Sequence, residues 1–218
     1  MQHLIVATRN AHKAREIQRI LGADFAVRDL SAHPETPETV ESGKTFEENA
    51  VLKATAASRQ LPGFILADDS GLEVDALGGA PGIYSARYAG QNATDKQNID
   101  KLLAELARIE RAKRSARFRC LIALAREGKL LGTFEGVVEG MIVDSPRGRS
   151  GFGYDPVFMP RGIGKTFGQL SPTEKDRVSH RARALKKLRA RLAALKPPDQ
   201  GLGGGGGAPG GGGAPGGC

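Results

Sequence analysis

An apolar run, Phe64-Ile65-Leu66-Ala67, leads directly into Asp68-Asp69-Ser70-Gly71. Four apolar residues in succession suit a strand covered on both faces, and ionised carboxylates are costly to bury unless they are paired. The pattern predicts a buried strand over 64–67 that delivers both acids to its end, with the chain turning at Ser70-Gly71. Successive side chains of an extended backbone point to opposite sides, so the two acids must separate, one toward a cleft and one into the structure. A carboxylate in a cleft suits a hard cation such as Mg²⁺. A second acid beside such a metal can orient or deprotonate an attacking water.

The flanking pattern is that of an α/β chain. His3 to Ala7 reads as a buried strand, Thr8-Arg9-Asn10 turns, and Ala11 to Leu21 is helical with Gly22 as its stop. Phe25 to Val27 is a weak strand, and a Pro-containing loop spans Ser31 to Gly43. Thr45-Phe46-Glu47-Glu48 has the capping-box pattern, predicting a helix to about Gln60. Thr94 to Gln97 opens another helix, with Ile99, Leu102, Leu103 and Leu106 inward. Ala116 to Ala125 and Leu130 to Val143 read as two long strands joined at Glu127-Gly128-Lys129. Ser171-Pro172-Thr173-Glu174 caps a closing helix that carries Leu185, Leu188, Leu192 and Leu195 and ends near Lys196. A β-α-β opening followed by a hairpin predicts a mixed sheet with helices on both faces.

Residues 1–196 fit one domain of the 218-residue chain. From Pro197 a Gly/Ala/Pro tract has little apolar surface to bury and is expected to be disordered. The net charge of +8 suits nucleic acid, an acidic surface or a polyphosphate ligand, or is simply a solvated basic face. Cys120 lies in an apolar run and Cys218 ends the tail, so neither a zinc site nor a disulfide framework is supported. No signal-peptide core or membrane-length apolar run is present, and a cytoplasmic location is the expectation.

Four further motifs carry chemistry. Thr8-x-Asn10-x-x-Lys13 places polar donors, a helix start and an ammonium together, which suits either a phosphate cradle or a helix cap beside a surface lysine. Glu41 either joins Asp69 on a metal or is a solvated loop acid. Phe152-Gly153-Tyr154-Asp155 either grips a flat base by stacking and hydrogen bonds or plugs the core. Lys175, His180 and Arg181 either meet phosphates and base edges or are ordinary surface charge. Gly164-Lys165-Thr166 fails as a P-loop because Met159 stands at the required first glycine.

These motifs in this order resemble the inosine/xanthosine triphosphate pyrophosphatase family. The resemblance rests on Thr8-Arg9-Asn10-x-x-Lys13, Glu41-x-Gly-x-Thr-Phe-x-Glu-Asn-Ala50, Ala67-Asp-Asp-Ser-Gly71, the run Leu77 to Arg87, Phe152 to Asp155 and Ser179-His180-Arg181. It implies an elongated, two-lobed α/β fold around a central nucleotide cleft, and a homodimer. It implies Mg²⁺-dependent cleavage of non-standard purine nucleoside triphosphates to the monophosphate and pyrophosphate. By the same resemblance Thr8, Arg9, Asn10, Ala11, His12 and Lys13 bind the triphosphate. Asp69 is the metal-associated acid and proton acceptor, Glu41 a further metal ligand, and Ser70 a substrate contact. Phe152 stacks on the base, with Gly153 and Tyr154 in the same motif, and Asp155, Lys175, His180 and Arg181 complete the nucleotide site. An arginine donating to a 6-keto oxygen would reject adenine. Arg9 replaces the small residue or Asn of many relatives and would add a cation beside the phosphates.

Two other readings remain at this stage. A pyrophosphatase of related fold acting on pyrimidine triphosphates would not need the complete Phe152–Asp155 and Ser179–Arg181 motifs. A basic nucleic-acid-binding protein would show salt-sensitive binding and no metal-dependent turnover. The chain has no Trp and three Tyr, so the aromatic platforms of single-strand binders are missing and direct nucleic-acid binding is not expected.

Overall fold

A computed structural model describes residues 1–37 and 39–195. The expected tail from Pro197 lies outside the described residues, as does Lys196. The elements are β1 (Gln2–Val6), α1 (Ala11–Leu21), β2 (Phe25–Asp29), α2 (Phe46–Ser58), β3 (Phe64–Val74), α3 (Asp95–Glu105), β4 (Ser115–Arg126), β5 (Lys129–Ile142), β6 (Phe158–Pro160), α4 (Pro172–Val178) and α5 (His180–Ala194). They form a six-stranded mixed sheet in the order β2-β1-β3-β4-β5-β6. β1 is parallel to both its neighbours, and the remaining pairs are antiparallel. The β4–β5 hairpin turns through Glu127 and Gly128, both at positive φ, as a two-residue connection requires.

Helices cover both faces, as the sequence predicts. On one, Ile17 and Leu21 of α1 and Leu185, Leu188 and Leu192 of α5 share a buried cluster with Leu66, Ile122 and Leu124. On the other, Ala50, Ala54 and Ala57 of α2 share one with Ala67, Ala123 and Ala125, and small side chains on both sides let the helix sit close. A third cluster, with Leu72, Leu102, Phe118, Tyr154, Phe158 and Phe167, fills the far end of the long strands. The long strands β3, β4 and β5 thus serve two lobes, with the acidic pair between them.

The acidic pair does not end its strand. β3 runs on through the acids, with Asp68 opposite Ile122 and Asp69 opposite Leu121 of β4. Gly71 marks a close approach, not a turn: a Cβ there would lie 2.4 Å from the Gly82 carbonyl and 2.6 Å from Ser85 Oγ. What stops at this level is β1, whose pairing with β3 ends at Val6 and Leu66. Among the described residues the edge of β3 beyond it pairs with no strand, which leaves the acids beside an open sheet edge at the carboxyl end of β1.

The closing segment is two helices, not one. Ser179 is extended (φ −67°, ψ 159°), ends α4 through its N–H to Lys175 O, and caps α5 by accepting from Ala182 N. The cap stabilises the new start by about 1 kcal/mol and lets α5 begin at His180 against β5. Contact there is backbone to backbone: a Cβ on Gly136 would lie 2.0 Å from His180 O. Gly136→Ala is therefore expected to displace the first turn of α5 and cost about 1–3 kcal/mol. Urea unfolding read by circular dichroism checks this; an unshifted midpoint would show that the helix yields freely.

Candidate active site

The turn after β1 is built by its own side chains. Asn10 caps α1, its Oδ1 accepting from His12 N (2.9 Å) and Lys13 N (3.3 Å), while Asn10 N donates to Thr8 Oγ1. Two of the helix-start N–H groups are thereby occupied, so Asn10 serves the cap. Arg9 turns away from the cleft: its guanidinium donates to Thr36 O (2.8 Å) and Leu30 O (3.4 Å). The expected extra cation beside the phosphates is engaged in fastening the loop that follows β2. Ala11 and His12 sit exposed on the first turn of α1, and the His12 ring lies 5.7 Å from that of Phe152.

Lys13 and Lys53 reach β3 from opposite faces. Lys13 Nζ lies 2.6 Å from Asp68 Oδ1 and 3.4 Å from Asp68 O. Lys53 Nζ donates to Asp69 Oδ1 (2.8 Å), Glu41 Oε1 (2.9 Å) and Asp68 O (3.1 Å). Two ammonium groups thus meet one backbone carbonyl at the level where β1 has stopped. Their charge is matched here by Asp68, Asp69 and Glu41, so the cluster sets three carboxylates against two ammonium groups.

The two acids divide as their alternation requires. Asp68 is buried and accepts from Arg181 Nε (2.8 Å), Cys120 Sγ (3.1 Å) and Ser70 Oγ (2.5 Å) besides Lys13. Burial alone would raise its pKa, but Arg181 and Lys13 outweigh burial and hold it well below the usual carboxylate range. Asp69 has Lys53 as its cation, with Asn49 Nδ2 at 3.5 Å from its other oxygen. There burial prevails, and Lys53 and Lys13 only partly offset the rise in pKa. The two neighbours are thus shifted in opposite directions, Asp68 down and Asp69 up.

Behind Asp68 lies a buried ionic chain. Arg181 continues to Glu16, Glu16 Oε1 accepts from Lys175 (2.7 Å), and Lys175 bonds Asp155 (2.5 Å). With Lys13 there are three cations for three carboxylates, so the buried charge is balanced. The surface-charge reading of Lys175, His180 and Arg181 is excluded by their burial. Arg181 has five N–H donors, and four contacts to Asp68, Glu16 and Ser70 leave it at most one for a ligand. His180 stacks on Phe118 (4.6 Å, 9°), and its Nδ1 has no partner among the described residues. Burial and the neighbouring Arg181 and Lys175 push its pKa well down, so the imidazole is neutral.

The Phe152 ring covers the outer end of this chain, 5.0 Å from Lys175 Nζ and 5.7 Å from Arg181 Cζ. Asp155 Oδ2 accepts from Phe152 N and shapes the loop. The rest of the motif is structural: Gly153 N donates to Asp95, and Tyr154 is buried in the far lobe with its hydroxyl on Ser85 O (2.9 Å). A cavity of about 810 Å³ opens beside Glu41, lined also by Lys44, Thr45, Phe46, Tyr84 and Arg87. Among the described residues no three His, Cys, Asp or Glu side chains converge as a metal cluster. Glu41 and Asp69 nonetheless share one ammonium, and their second oxygens carry longer contacts, from Arg87 to Glu41 Oε2 (3.2 Å) and from Asn49 to Asp69 Oδ2 (3.5 Å). That donor set fits a hard cation whose remaining ligands come from phosphates and water.

Sequence reasoning missed Glu16, Asn49 and Lys53. Glu16 is a lone acid beside Ile17 on the buried side of α1, one turn from Lys13, and that position was its signal. Asn49 and Lys53 are four apart on α2 and therefore share a face.

A mixed sheet with a polar turn at the end of its first strand, two lysines over a split acidic pair and an aromatic ring over a buried ionic chain make an arrangement suited to a phosphate-bearing ligand on an α/β scaffold. The sequence profile of the Ham1 family matches residues 4–191. The chain is 50% identical over 193 residues to the dITP/XTP pyrophosphatase of Bacillus licheniformis, covering 88% of this chain and 98% of that protein. It is 48% identical over 195 residues to the protein of that name from Bacillus subtilis, covering 89% and 98%. The solved Ham1 protein of Staphylococcus aureus superposes with a TM-score of 0.79 at 42% identity, covering 89% of this chain and all of that one. This chain belongs to the Ham1 family.

Proposed function

We propose that this chain hydrolyses non-standard purine nucleoside triphosphates, dITP/ITP and dXTP/XTP, at the α–β anhydride to give the nucleoside monophosphate and pyrophosphate. The observation that carries the reading is the split acidic pair beneath two convergent lysines, and relatives about half identical bear the name dITP/XTP pyrophosphatase. Lys13 binds the phosphates at the open edge of β3, with Thr8 beside it, while Lys53 holds Glu41 and Asp69 together. Asp69, its pKa raised, accepts the proton of the attacking water. Asp68 stays ionised and fixes Lys13, Ser70 and Arg181. Mg²⁺ held by Glu41 and Asp69 would offset phosphate charge and polarise the anhydride. The chain's own part is to bring these carboxylates together and to keep Lys53 between them.

At the other end Phe152 stacks on the purine, and His180 Nδ1 with the spare N–H groups of Lys175 and Arg181 meets its polar edge. A buried donor left facing the 6-amino group of adenine would be unpaired, which supports discrimination of about 10⁴-fold. Residues 1–196 would form the whole catalytic domain, acting as a homodimer in the cytoplasm and without nucleic acid. No helix among the described residues is long and apolar enough to cross a membrane. The test is pyrophosphate release from dITP, dATP and dGTP, each in Mg²⁺ and in EDTA. Release from dITP alone, lost in EDTA, is expected. Equal rates on all three would remove base recognition, and no release from any would remove the hydrolase reading.

A further inference from the structure

Arg87 ends a 3₁₀ turn, Gly82–Arg87, that is pinned from three sides. It packs on β3 at Gly71, two residues past Asp69, with no room for a side chain between them. Ser85 Oγ accepts Leu72 N–H (2.9 Å) and donates to Gly82 O (2.6 Å), and the Tyr154 hydroxyl donates to Ser85 O. From this fixed base the guanidinium lies 5.3 Å from the Tyr84 ring centroid and donates to Glu41 Oε2 at 3.2 Å. Glu41 therefore holds a cation on each oxygen. Lys53 on Oε1 is also bonded to Asp69 and to Asp68 O and is not free to leave. Arg87 has Glu41 as its one salt bridge among the described residues, keeps 28% of its side chain exposed, and lines the 810 Å³ cavity.

We propose that Arg87 is an exchange residue. It holds and neutralises Glu41 in the empty protein, gives up Oε2 when Glu41 takes a divalent cation, and passes to the terminal phosphates that leave as pyrophosphate. The inference rests on the hydrolase reading above. Two cations on one carboxylate oxygen repel, so a divalent ion and the guanidinium compete for Oε2. A planar fork of N–H donors matches phosphate oxygens, which gives the displaced arginine a place to go. No covalent step is involved.

The experiment uses Arg87→Met and Arg87→Lys in the full chain. Mn²⁺ binding to nucleotide-free protein is read by electron paramagnetic resonance, alongside inhibition by pyrophosphate and turnover of dITP. Removing a partly exposed competing cation is expected to tighten Mn²⁺ by about two- to fivefold. Losing a charge-assisted phosphate contact should raise the pyrophosphate inhibition constant and the dITP KM by about tenfold or more. Arg87→Lys should fall between. These changes have opposite sign, whereas simple damage to the site would weaken both kinds of binding. Mn²⁺ affinity that falls or stays unchanged in Arg87→Met would overturn the exchange, and so would unchanged pyrophosphate inhibition. Wild-type turnover in the same series separates the two readings: without it the hydrolase assignment fails whatever Arg87 does.

Discussion

Asp69→Asn is expected to lower kcat on dITP by about 10²–10⁴-fold, the usual loss when a general base is removed, with a much smaller change in KM. The asparagine fills the same space against Lys53 but cannot take a proton. The wild-type rate should also have an acid limb set by Asp69, which the variant lacks. Burial raises the Asp69 pKa, and Lys53 and Lys13 offset it only in part. The group must be ionised to act, so the rate falls as pH drops through its pKa. A pH–rate profile of both proteins is the measurement. A variant that keeps the wild-type acid limb would move the proton acceptor elsewhere.

Glu16→Gln is expected to destabilise the fold by about 3–5 kcal/mol, the cost of leaving a buried charge without its partner. Glu16 lies between Lys175 and Arg181, both buried, and the amide would leave three cations, Lys13, Lys175 and Arg181, facing two acids, Asp68 and Asp155. Burial would raise the Glu16 pKa, but Arg181 and Lys175 bring it from 4.5 down to about 2. A depressed folded pKa contributes stability that is full above 4.5 and lost as pH falls toward 2. The difference in unfolding free energy between wild type and variant should therefore be large at pH 7 and shrink in acid. The dITP KM should rise as well, because Lys175 and Arg181 lose their alignment under Phe152. Denaturant titrations at several pH values check the first part, and a constant difference across pH would show that Glu16 acts by packing alone.

Where the physics is local, the sequence was readable. Asn10, Thr45, Thr94 and Ser171 cap helices that begin one residue later, because a cap needs only its own next three residues. Gly22 at positive φ ends α1, and Glu127-Gly128 turns the hairpin. Alternation along an extended backbone was enough to separate Asp68 from Asp69. The set of motifs across nearly the whole chain was enough to identify the family. Local pattern failed at the acidic pair itself: two charges after an apolar run signal a strand end unless something neutralises them.

What neutralises them comes from far along the chain. Lys13 is on α1, Lys53 on α2 and Arg181 on α5, and only the folded sheet brings all three to β3. With those partners the acids can stay in mid-strand, and Gly71 is free to admit the turn that carries Arg87. The break at Ser179 has the same origin, because α5 must start where Gly136 allows His180 onto β5. Glu16 looked like one more helix acid until Lys175 and Arg181 closed on it. Sequence alone determined the caps at Asn10, Thr45, Thr94 and Ser171, the long hairpin, the family and the identity of the acids. Tertiary structure decided which acid has its pKa held down and which has it raised, because burial and the distance to a cation set that choice and neither is a property of neighbours in the chain.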